Sequence, residues 1–74
     1  MTRLPTLTAR KVIQALESGG FVIDRQRGSH LIMKHLEKRF TIAVPKHGKD
    51  LNRNLMKLII KQAGLTEDEF QALL

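Results

Sequence analysis

The chain has 74 residues, no cysteine, and 13 Lys and Arg against 7 Asp and Glu, for a formal net charge of +6. Without cysteine there are no disulfides, thiolate zinc sites or cysteine nucleophiles. No apolar run exceeds three residues, as in Phe21-Val22-Ile23, whereas a membrane span needs roughly 20. The expectation is one small domain spanning residues 1–74, soluble and cytoplasmic, with no membrane partner and no signal-peptide core at its N-terminus.

The positive charge is unevenly spread. Residues 1–49 carry ten basic residues against Glu17, Asp24 and Glu37, a balance of +7. Residues 50–74 carry Arg53, Lys57 and Lys61 against Asp50, Glu67, Asp68 and Glu69, a balance of −1. A one-sided excess of this kind suits a polyanion, nucleic acid foremost. The plain alternative is a solvated surface, the usual fate of charged side chains.

In chain order, Thr8 can cap a first helix whose apolar positions Ala9, Val12, Ile13 and Leu16 recur at helical spacing. Gly19-Gly20 stops it after Ser18. Phe21 to Arg27 is rich in strand formers, and Gly28-Ser29 signals a turn. A second strand spans His30 to His35. Leu36, Glu37 and Lys38 connect it to a third, where Phe40, Ile42 and Val44 alternate with Thr41 and Ala43 until Pro45 ends the pattern. Three strands with short connections imply an antiparallel meander.

Residues 46–51 form a loop, and Asp50 or Asn52 can cap the second helix. Leu55, Leu58, Ile59 and Gln62-Ala63 give that helix an apolar stripe, and Gly64 ends it. Thr66 and Glu69 have capping-box spacing. Phe70, Leu73 and Leu74 are expected to face inward from a short last helix. The fold class is therefore α+β, in the order α-β-β-β-α-α. Helices one and two should cover one face of a three-stranded antiparallel sheet and leave the other face open.

The chemistry-bearing residues cluster near one turn. His30 follows Gly28-Ser29 and opens the second strand, near Arg25, Arg27 and Lys34. Strand alternation puts His30, Ile32 and Lys34 on one face and Leu31 and Met33 on the other. Leu31 and Met33 suit the helix-covered face, so His30 and Lys34 belong to the open one, with Ile32 an apolar companion there. Histidine can give or take a proton at physiological pH, and nearby cations can hold a phosphodiester. The bland reading is a surface histidine with no task.

A metal site on His30, His35 and His47 is disfavoured. His30 and His35 have opposite parity within one strand, and no H-E-x-x-H pattern occurs. Lys46-His47-Gly48-Lys49 is a basic loop able to meet phosphates, or equally an ordinary solvated turn. The segment from Leu55 to Leu74 imitates a helix-turn-helix. Its would-be recognition helix begins Glu67-Asp68-Glu69, which repels DNA. With no Tyr or Trp and three Phe at core-like positions, base stacking on aromatic platforms is disfavoured as well.

Gly19-Gly20-Phe21, Gly28-Ser29-His30, Val44-Pro45-Lys46-His47, and Lys61-Gln62-Ala63-Gly64-Leu65 before Glu69-Phe70 together resemble the HicA family of toxin mRNA interferases, also called YcfA-like proteins. The likeness runs nearly the whole chain in order. It implies a fold like that of double-stranded-RNA-binding domains. It also implies metal-independent cleavage of mRNA with no cofactor, catalysed by the histidine of the glycine-serine-histidine motif, here His30. The partner it implies is a HicB-family antitoxin.

Candidates for holding RNA around His30 are Arg25, Arg27, Gly28, Ser29, Lys34, Lys46, His47 and Lys49. One position departs from the family. Where a Gly-Thr pair commonly opens the second helix, this chain has Asn54-Leu55, with Asn54 available as a cap. Two other functions compete: an RNA-binding module of the same fold that does not cut, and a DNA- or partner-binding protein using residues 65–74.

Overall fold

The computed structural model describes residues 5–46 and 50–74. Helix α1 spans Ala9–Ser18, strands β1, β2 and β3 span Phe21–Arg27, His30–His35 and Thr41–Pro45, and helices α2 and α3 span Arg53–Gln62 and Glu67–Gln71. The strands form one antiparallel sheet in the order β1-β2-β3. This is the α+β layout expected from the sequence. No described helix is long and apolar enough to cross a membrane.

Local chemistry sets the boundaries. The Thr8 hydroxyl accepts from Lys11 N at 3.3 Å and opens α1. Asn52 Oδ1 accepts from Leu55 N at 2.8 Å, so Asn52 is the cap of α2, and Asn54 lies inside the helix rather than before it. Thr66 and Glu69 close a full capping box on α3. The β1–β2 turn is the two-residue loop Gly28-Ser29, where Gly28 has φ +59°. That value at the first loop position is what a tight hairpin of type II′ asks of glycine.

Phe21, Leu31, Met33, Ile42 and Val44 are buried against Ala9, Val12, Ala15 and Leu16 of α1, Met56, Ile59 and Ile60 of α2, and Phe70 of α3. Both long helices pack on this one face of the sheet.

Three expected core positions differ. Once α2 starts at Arg53, its inward stripe runs through Met56, Ile59, Ile60 and Ala63, and Leu58 is turned out at 51% exposure. Leu74, beyond the end of α3, is 57% exposed, while Phe70 is fully buried and Leu73 half-buried. Phe40, just before β3, faces the same side as Ile42, with its ring over Gly64 at the end of α2, but at 36% exposure it lies on the rim of the core rather than within it.

Candidate active site

Residues directly opposed across an antiparallel ladder share a face. Arg27 pairs with His30 and Arg25 with Ile32, while Val22 pairs with Lys34. Across the other ladder His30 meets Pro45, Ile32 meets Ala43 and Lys34 meets Thr41. Leu31 and Met33 are buried under the helices, so this row belongs to the opposite, uncovered face. The expected companions Arg25, Arg27 and Lys34 thus stand on the same face as His30, and all four side chains are exposed.

Strict alternation along β1 would not produce this. Counting by twos from the buried Phe21 puts residues 23, 25 and 27 on the helix side. The register shifts between Ile23 and Arg25, so Asp24 is an extra residue facing the β2 ladder. That bulge turns Arg25 and Arg27 to the open face and leaves Gln26 on the helix side, opposite Leu31. Asp24 also points to the open face, where its carboxylate lies 3.6 Å from Lys34 Nζ. Lys34 therefore reaches the site already paired to an anion, a relationship the sequence alone did not suggest.

Gly28 and Ser29 form the exposed turn beside His30. The Ser29 carbonyl accepts from Lys46 N at 2.6 Å, which ties the turn to the end of β3. The Lys46 side chain lies elsewhere: it lines a groove between α1 and β1 on the helix side of the sheet. His47 and Lys49 lie outside the described residues.

His35 has a different task. Its Nδ1 accepts from the amides of Glu37 and Lys38, both at 3.0 Å. That pattern leaves the ring hydrogen on Nε2, which donates to the Gly19 carbonyl at 3.1 Å. The ring also stands edge-on to Phe21, with centroids 4.9 Å apart. His35 joins the end of α1 to the β2–β3 connection. A Cβ on Gly20, where φ is +97°, would come within 2.8 Å of His35 Nε2, so the two residues are matched. The sequence signal for this role was parity: His35 falls on the buried side with Leu31 and Met33. Among the described residues no group of three His, Cys, Asp or Glu is placed to hold a metal ion.

The sequence pattern that defines the HicA toxin of bacterial toxin–antitoxin systems matches residues 9–65. The chain belongs to the HicA toxin family. The match runs from the start of α1 to just past α2, so it takes in the whole sheet and the histidine turn. No curated protein matches the chain closely enough to add to this. As a HicA toxin it is one half of a pair, and a cognate antitoxin is its partner.

Proposed function

We propose that this HicA toxin is an endoribonuclease that cuts mRNA, with His30 as its acid-base group, acting as one domain across residues 1–74. The observation that carries the reading is the exposed His30 directly opposite Arg27, with Arg25 and Lys34 on the same uncovered face. RNA brings its own nucleophile. The 2′-oxygen attacks the adjacent phosphorus, an O2′–P bond forms and the P–O5′ bond breaks. One proton leaves the 2′-hydroxyl and one reaches the departing 5′-oxygen. His30 is placed to handle one of these transfers, and positioned acid-base groups contribute typically about 10²–10⁴-fold.

Arg25 and Arg27 supply charge where the phosphoryl oxygens become more negative. Arginine suits this task because its planar fork meets two oxygens at once. Gly28 and Ser29 add exposed backbone beside the histidine. The family resemblance implies cleavage without a metal or other cofactor, and DNA, lacking the 2′-hydroxyl nucleophile, is not a substrate in this reading. The antitoxin in this reading is of the HicB family.

The test is purified toxin incubated with mRNA in EDTA, followed by mass measurement of the product termini. The expected products carry 2′,3′-cyclic phosphate and 5′-hydroxyl ends. Binding without any cleavage would identify an RNA-holding module instead, and 5′-phosphate ends would exclude attack by the 2′-hydroxyl.

A further inference from the structure

β1 is an edge strand: among the described residues it pairs only with β2. An edge of this kind presents unpaired backbone N–H and C=O groups that another chain can meet. Beside it, on the helix side, lies a groove of about 660 Å³ between α1 and the sheet. Ile13, Ile23 and Leu31 give the groove its apolar walls, and Arg10, Lys46 and Glu17 contribute its charges. Ile23 is 50% exposed, although it sits next to the buried Phe21–Met33 layer. On the other side of the same edge stand Arg25 and Arg27.

We propose that the β1 edge and this groove receive one extended segment of the antitoxin, pairing with β1 as an added strand. The inference rests on the toxin–antitoxin family and not on the ribonuclease reading. An added strand points alternate side chains to opposite faces. Those on the helix side meet Ile13 and Ile23 and are apolar. Those on the open side meet Arg25 and Arg27 and are acidic. Around this edge Arg10, Arg25, Arg27 and Lys46 outnumber Glu17 and Asp24, so charge complementarity also selects an acidic segment.

The Asp24 bulge shapes the choice. Bulges and charged side chains are devices that keep edge strands from pairing indiscriminately. Here they limit the occupant to a short strand of matching charge. Because the segment lies beside Arg25 and Arg27, it also brings its carboxylates toward the open, cationic face of the sheet. One docking site thus anchors the antitoxin in a groove behind the sheet and neutralises cations in front of it.

The test uses full-length toxin and the purified HicB-family antitoxin that neutralises it on co-expression, with affinity measured by calorimetry without RNA. Ile23→Lys is expected to weaken binding about a hundredfold or more, as loss of a buried anchor does. Ile23→Val should stay within about threefold. Cleavage of RNA by Ile23→Lys should be unchanged, since Ile23 lies on the helix side of the sheet. Hydrogen exchange on the wild-type complex gives a readout independent of any variant: β1 amides should slow while those of α3 do not. Unaltered antitoxin affinity in Ile23→Lys, or protection that leaves β1 untouched, would overturn the proposal. Loss of cleavage with antitoxin affinity retained would overturn it too, by assigning the groove to RNA.

Discussion

Arg27 stands directly across the β1–β2 ladder from His30, at the last pair before the Gly28-Ser29 turn. A two-residue turn fixes that pairing, so the guanidinium and the imidazole leave the sheet side by side. Replacing Arg27 by Ala should lower kcat/KM for RNA by roughly 10–100-fold, the range for losing one hydrogen bond to a charged group. Arg27→Lys should recover part of this, because it restores charge without the fork. Steady-state cleavage of the two variants checks both statements. Equal loss in both would show that geometry rather than charge is what Arg27 supplies.

Asp24 is the anion among these cations. Its contact with Lys34 is exposed on both sides, and such pairs contribute about 0–1 kcal/mol to stability. Its larger effect should be on the substrate, because a phosphate that meets Lys34 must displace a carboxylate. Asp24→Asn is expected to tighten RNA binding. It should also steepen the dependence of log K on log salt by about 0.7, one more phosphate neutralised on a single strand. Filter binding across a salt series measures both. A weaker complex would mean that Asp24 holds Lys34 in its working position.

His35 should matter for stability and not for cleavage. Its loss removes the part-buried hydrogen bond to the Gly19 carbonyl, the acceptor shared by the Glu37 and Lys38 amides, and the ring packed on Phe21. His35→Ala is expected to cost about 1–3 kcal/mol by denaturant unfolding, with the cleavage rate per folded molecule unchanged. Because Gly20 carries no Cβ in order to admit this ring, Gly20→Ala should destabilise the same junction.

The capping box gives a pH signature. The Thr66 backbone N–H, and then its hydroxyl, hold the Glu69 carboxyl below its ordinary value of 4.5, with Lys38 adding to the effect. A carboxyl depressed in the folded state contributes stability above its unfolded value and loses it as pH falls through the folded one. Wild-type stability should therefore fall as pH drops below about 4.5, and Glu69→Gln should lack this contribution. Thermal unfolding between pH 3 and 6 makes the comparison, with pH chosen to bracket carboxylate titration.

Much of this fold is legible in the residues because its punctuation is local. Gly19-Gly20, Gly28-Ser29 and the Thr66–Glu69 box each act within a few positions, and the element order follows from them. The site was legible in part. His30 and Lys34 share a face by simple alternation along one strand. Arg25 and Arg27 join them only through the bulge at Asp24, which depends on how β1 pairs with β2 and leaves no periodic mark in β1 itself. On α2 the expected Leu55, Ile59 and Ala63 do pack on the core, but Leu58 turns out while Met56 and Ile60 turn in. Leu58 is as apolar as Met56 and Ile60, and packing against β3 decides which of them face inward. His35, disfavoured as a metal ligand by its parity against His30, is a structural residue with both ring nitrogens committed to backbone groups.

The most direct test is the single-turnover cleavage rate of His30→Ala beside wild type at saturating protein, with RNA affinity measured on the same samples. Loss of a working acid-base group should lower the rate about a hundredfold or more. RNA affinity should stay within about threefold, since the phosphate-binding arginines are untouched. A variant that cleaves at the wild-type rate would contradict the assignment of His30 and, with it, this account of the open sheet face.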